Sequence, residues 1–147
     1  MPSTPPQRSR PASDLAKALL EVKRTLFFTA ESLIQQLIAA DVSRQLPLFL
    51  DMLSRLDLII IDELGYLEIT AQAASLFFRV ISRRYEKGSI IITSNKPFEE
   101  WGQIFKDDVV ASAILDRLLH HSYPFFIQGK SYRMKQLMGP KKIDRKE

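Results

Sequence analysis

Leu58-Ile59-Ile60-Ile61 is apolar at every position and is closed at once by the acids Asp62-Glu63. A strand with one wet face alternates apolar and polar residues. One that is apolar throughout needs cover on both faces, which is the lot of an inner strand in a parallel sheet. Ser89-Ile90-Ile91-Ile92-Thr93-Ser94-Asn95 repeats the design, a β-branched run ending in polar residues. Parallel neighbours need a long crossover, usually a helix. The intervening segment offers one, with Thr70 as cap, a helix over Ala71–Lys87 and Gly88 as its stop. The pattern predicts an α/β fold with a parallel sheet and helices on its faces.

The remaining elements follow the same alternation. Ser13 can cap a helix from Asp14 to Lys23, and Leu26–Thr29 is a short strand. Glu31–Val42 is an amphipathic helix with Leu33, Ile34, Leu37 and Ile38 on one face. Pro47 interrupts before a helical stretch over Leu48–Leu56. Pro97 opens a short helix containing Trp101, and Asp107 or Asp108 caps another over Val109–His121. Phe125-Phe126-Ile127 is predicted as a last short strand. Phe77, Phe78 and Tyr85 recur at helical spacing and are assigned to the core.

A chain of 147 residues suffices for one domain. The division expected is an irregular Pro/Arg-rich arm over 1–13, a domain over 14–137 and a basic C-terminal tail over 138–147. The absence of cysteine excludes disulfides and thiolate metal sites, and His120-His121 are the chain's only imidazoles. They close a helix, where imidazole suits the dipole, so a metal role is not expected of them. No apolar run is long enough to cross a membrane, and the arm lacks the apolar core of a signal peptide. A soluble, cytoplasmic protein is the expectation. The net charge is +4, and Gly129–Glu147 holds seven Lys or Arg against two acids, a stretch able to track phosphates or simply to be solvated.

In open parallel sheets, ligands collect beyond the carboxyl ends of the strands. Asp62-Glu63 lies at one such end and Thr93-Ser94-Asn95 at another. Hydrophobic residues followed by Asp-Glu form the Walker B pattern. Its first acid suits Mg²⁺, a hard cation that prefers oxygen ligands, and its second suits a water to be activated. The same pair also fits a plain exit from a strand. Asn95 can hydrogen-bond an attacking water or a phosphate oxygen, or can serve as a turn residue before Pro97. Arg117 and Arg133 are candidate phosphate contacts, with simple solvation as the alternative. Asp116 and Arg117 are expected to fall off the apolar face formed by Ile114, Leu115, Leu118 and Leu119.

Several stretches together resemble the IstB-like ATPases, AAA+ proteins that assist insertion-sequence transposases and are similar to the DnaC helicase loaders. The matching residues are Leu58–Leu67, Ser82–Ser89, Thr93–Phe98, Trp101-Gly102, Ile114–His121 and Ser131-Tyr132-Arg133. The resemblance implies a P-loop NTPase sheet and ATP with Mg²⁺ as cofactors. It makes Asp62 the Mg²⁺ ligand, Glu63 the catalytic base and Asn95 the sensor 1 residue. It makes Arg117 an arginine finger for the next subunit's ATP and Arg133 a sensor 2-like contact. The implied partners are a transposase and DNA, with an ATP-dependent homo-oligomer. An alternative is a non-enzymatic remnant that contacts DNA or protein.

The chain departs from the family where the P-loop should stand. Ahead of Asp14-Leu15-Ala16 the family expects a buried strand and a G-x-x-G-x-G-K-[ST] loop. Here the residues are Pro5-Pro6-Gln7-Arg8-Ser9-Arg10-Pro11-Ala12-Ser13, and the first glycine of the chain is Gly65. A phosphate cradle needs glycines to converge backbone N–H groups, whereas prolines remove those donors. The expectation is an N-terminally truncated form without Walker A or its strand, in which ATP binding and hydrolysis are impaired. In that case the strands beside the missing one present open edges. The purified chain is then expected to be poorly soluble or to depend on a partner; a monodisperse, cooperatively melting protein would count against this.

Overall fold

The computed structural model describes residues 24–129. The arm, the expected Asp14–Lys23 helix, Arg133 and the basic tail lie outside them. The first strand, β1 (Thr25–Thr29), leads into α1 (Ala30–Val42) and α2 (Leu46–Ser54). Next come β2 (Leu58–Leu64), α3 (Ala71–Arg84) and β3 (Ser89–Ser94). A 3₁₀ turn over Phe98–Glu100 then precedes α4 (Trp101–Phe105) and α5 (Asp108–Leu119).

The strands form a parallel sheet in the order β1-β2-β3. Leu58, Ile59, Ile60 and Ile61 are all at most 4% exposed, as an uninterrupted apolar run requires. Each contributes roughly 1.5–3 kcal/mol through burial. Strand order that advances in one direction, joined by right-handed crossovers, places successive helices on one face. Accordingly Phe28, Ile59 and Ile61 join a single core with Leu33, Leu37, Leu50, Leu53, Phe77 and Ile81. Leu58 and Ile60, on the opposite face, are also buried.

Local chemistry sets the helix starts. Thr29 Oγ1 accepts from Ser32 N at 3.1 Å, and Thr70 Oγ1 accepts from Ala73 N at 3.2 Å. Asp107, and not Asp108, caps α5, accepting from Val109 N at 2.9 Å and Val110 N at 3.0 Å. Several boundaries differ from the sequence expectation. Pro47 sits inside the first turn of α2 rather than before it, where its missing N–H costs nothing. β2 runs on through Asp62-Glu63 to Leu64. α3 stops at Arg84, three residues short of Lys87, because Tyr85 leaves the helical region with ψ 122°. Phe125–Ile127 is not a strand: no ladder partner meets it among the described residues, and these side chains are 71–91% exposed.

The early stop of α3 serves Arg84, a buried arginine at 2% exposure. Its Nη1 donates to Leu53 O at 2.7 Å and Leu56 O at 2.9 Å, and its Nη2 donates to Ser89 O at 2.9 Å. Two of these acceptors lie at the C-terminal end of α2, where carbonyls lack helical partners and the helix dipole is negative. Burial pushes the Arg84 pKa down, and the nearby Asp57 carboxylate pushes it back up. Gly88, at φ +63°, makes room: a Cβ there would collide with Arg84 Nη2. Arg84→Met is expected to destabilise the fold by about 3 kcal/mol, since it leaves buried carbonyls unmet. Arg84→Lys should recover only part, lacking the fork. Urea unfolding followed by Trp101, the only tryptophan and 3% exposed, measures both.

Candidate functional site

All three strands point their carboxyl ends to one edge of the sheet, where Thr29 is level with Asp62. On the other side of β2, Ile61 pairs with Ile92 but Leu64 pairs with Ser94. Three steps along β2 therefore match two along β3, which is a β-bulge of one residue. The bulge places Asp62 and Glu63 between two inward-facing residues, Ile61 and Leu64, both fully buried. It also requires Glu63 to adopt φ +63°, a left-handed conformation that costs a non-glycine residue on the order of 1 kcal/mol or more.

Thr93 holds this bulge together. Its hydroxyl accepts from Glu63 N at 3.0 Å and donates to Asp62 Oδ1. One hydroxyl thus satisfies a backbone donor and a carboxylate at once, which its lone pairs and single proton allow. Ser94 adds a second tie, its Oγ donating to Leu64 O at 2.7 Å and accepting from Lys96 N at 3.1 Å. Asp62 is half-buried and Glu63 exposed, so the first acid is oriented by protein while the second faces outward.

The expected Asn95 sits at the same edge with different neighbours. Its Oδ1 lies over Gly65, where a Cβ would come within 2.5 Å, and Gly65 takes φ +103°. Among the described residues, Thr93 and not Asn95 hydrogen-bonds the acid pair. Sequence reasoning passed over Thr93, although a hydroxyl residue ending the neighbouring strand level with Asp-Glu was the available signal.

Arg117 stands elsewhere, on α5, which packs against α3 and α4. Its guanidinium lies 4.7 Å from the Phe78 ring centroid, and Nη1 donates to Ala113 O at 3.1 Å. It is half-buried against α3, not off the apolar face as the helical pattern suggested. Phe77 is in the core as expected, whereas Phe78 and Tyr85 are only partly covered. Arg133 lies outside the described residues.

Beside the acid pair, on the β1 side, a cleft of about 270 Å³ runs between α1 and the segment after β2. Glu31, Glu63 and Glu68 line it, and among the described residues no Lys or Arg does. Lys106, 2.9 Å from Glu68, holds that carboxyl below its ordinary pKa through a hydrogen bond and its charge. With Glu68 paired, Glu31 and Glu63 are the carboxylates of the cleft that would oppose a bare polyphosphate. The donor set at the strand ends does fit Mg²⁺, which binds through one or two carboxylates with water and substrate phosphate completing its shell.

A family model described as IstB-like ATP binding protein matches residues 14–139. The chain is 50% identical over 120 residues to an insertion sequence IS21 putative ATP-binding protein of Pseudomonas aeruginosa, across 82% of this chain and 45% of that one. It is 46% identical over 120 residues to an insertion sequence IS5376 putative ATP-binding protein of Geobacillus stearothermophilus, across 82% of this chain and 48% of that one. The chain thus spans about half the length of these relatives. The crystal structure of the DnaC helicase loader matches with a TM-score of 0.57 at 22% identity, over 72% of this chain and 66% of that one. That likeness shows a shared P-loop NTPase fold of the AAA+ type. With the family match covering most of its length, this chain belongs to the IstB-like ATP-binding proteins of insertion sequences.

Proposed function

We propose that the chain is a transposition-helper ATPase of its family that handles Mg²⁺ and the attacking water through Asp62 and Glu63, and that it binds ATP weakly on its own. The observation that carries this reading is the Thr93 hydroxyl bridging Asp62 and the Glu63 N–H inside the bulge. Thr93 engages Asp62 Oδ1, which leaves the other carboxylate oxygen for a cation or its water. Glu63 projects from the strand end, exposed, where its carboxylate can take a proton from water. Mg²⁺, when bound, would neutralise phosphate charge at Asp62. Asn95 would orient the water or a phosphate oxygen from beside Gly65. Arg117 would serve the ATP of a neighbouring copy in a homo-oligomer, and Arg133 would contact phosphate. The partners on this reading are a transposase and DNA.

Weak binding follows from what surrounds the acids. The thirteen residues ahead of the family match hold four prolines and no glycine, and Glu31, Glu63 and Glu68 line the cleft with no Lys or Arg among its described lining residues. Calorimetric titration of the purified chain with ATP and Mg²⁺ should give a Kd of about 1 mM or weaker, corresponding to about −4 kcal/mol. A micromolar Kd would refute weak binding. Where turnover is measurable, Glu63→Gln should abolish it and keep binding. Thr93→Val should lower stability by about 0.5–1.5 kcal/mol by removing the two hydrogen bonds of the bridge, and Thr93→Ser should restore most of it. Equal stability of Thr93→Val and the parent would remove the bridge from the argument.

A second reading, a non-enzymatic module, is favoured by the basic stretch Gly129–Glu147. It expects DNA binding that weakens steeply with salt and is indifferent to ATP. ATP-dependent DNA binding would decide against it.

A further inference from the structure

The turn after α3 meets the end of α5, and there the fold collects Glu86, His120 and His121. Their donor atoms all lie within 4.8 Å of one another. His121 Nε2 is 3.5 Å from Glu86 Oε1. This is long for a charge-assisted hydrogen bond, which closes to about 2.7–2.9 Å. It is close to the spacing of two ligands on one tetrahedral Zn²⁺, about 3.4 Å for bonds of about 2.0–2.1 Å. The His120 and His121 rings stand edge to face with centroids 4.3 Å apart. The His120 ring also rests 5.7 Å from that of Tyr85.

Glu86 reaches this place at a backbone cost. It has φ +60°, in the left-handed region that a glutamate seldom occupies. Strain of this kind persists where the surrounding structure fixes it, and here it turns the carboxylate toward two imidazoles. An exposed ion pair alone would be a small reward, about 0–1 kcal/mol. A shared cation is a larger one.

We infer that Glu86, His120 and His121 form a binding site for a borderline divalent transition-metal ion such as Zn²⁺. Two imidazoles and a carboxylate are the donors such ions take, whereas Mg²⁺ and Ca²⁺ prefer all-oxygen shells. Three protein ligands leave a fourth position for water. All three side chains are exposed, so the third donor can close in by the remaining angstrom or so through side-chain rotation. The ion would clasp the turn between α3 and β3 to the last turn of α5. Arg117 lies within one helical turn of His120 and rests on Phe78 of α3, so the same clasp would hold the guanidinium's base against α3. The site stands apart from Asp62-Glu63 and does not depend on ATP binding.

The composition makes the test clean, because these are the chain's only histidines and it has no cysteine. The full chain, free of any histidine tag and stripped of metal by chelation, is titrated with ZnCl₂ by calorimetry and with Co²⁺ by visible absorption. One Zn²⁺ per chain should bind with micromolar affinity, and Co²⁺ should show the d–d bands of a four- or five-coordinate nitrogen–oxygen site. Glu86→Gln, His120→Asn and His121→Asn should each weaken Zn²⁺ at least about tenfold, while the metal-free melting temperature stays near the parent's. Zn²⁺ should raise the parent's melting temperature and not the variants'. No saturable binding in the parent overturns the site, as does binding that survives His121→Asn unchanged. Should a variant fail to fold, histidine ring resonances of the parent decide: both must move on adding Zn²⁺, and spectra in which either ring is unmoved refute the assignment.

Discussion

The guanidinium of Arg84 is the joint on which the sheet's geometry depends. It draws together carbonyls from the end of α2 and the start of β3, while belonging itself to the last turn of α3. Asp57, at the head of β2, gathers its neighbours in the same layer. Its N–H donates to Arg24 O at 2.8 Å and its C=O accepts from Ser89 N at 2.9 Å. The amino ends of all three strands are thereby levelled. Because a parallel ladder has a fixed rise, levelling one end decides what meets what at the other. Thr93 can reach Asp62 and Glu63 only if Ser89 starts where Arg84 holds it.

At the far edge the electrostatics run the other way. The amino end has a cation whose two terminal nitrogens donate to carbonyls, and the carboxyl end has carboxylates with a hydroxyl and a backbone N–H for company. Asp62 and Glu63 are neighbours in sequence but differ in setting. One is half-buried and braced by Thr93; the other is held outward by a left-handed backbone. Anything that binds at this edge therefore meets one braced carboxylate and one that faces outward.

Much of the fold was legible from residue patterns. The run Leu58–Ile61 declared its two-sided burial because length and uniform apolarity leave no other economical placement. Thr70 was readable as a cap, and the other cap was narrowed to Asp107 or Asp108, because a side-chain oxygen before an apolar-periodic segment has few other uses. Arg84 was not legible, since arginine is normally exposed and its acceptors come from distant segments. The bulge was hidden as well: Gly65 advertises a positive φ, but Glu63, the other residue to adopt one there, does not. Phe125–Ile127 has the composition of a strand, yet composition cannot supply a neighbour to pair with. Asn95 was placed at the correct edge, but the reach of its amide depended on how closely Gly65 approaches, which no single-residue pattern encodes.

The bulge in β2 has one more implication. Ile61 and Leu64 both face the core, three positions apart, whereas a regular strand turns every second residue inward. Removing Glu63 would bring Leu64 to the second position after Ile61, opposite Ser94, with the ladder unbroken and both side chains still inside. The scaffold and the acid pair therefore differ by a single inserted residue. One in-frame codon deletion would thus remove the acid pair while leaving the register of the ladder regular, and the reverse event would restore the pair.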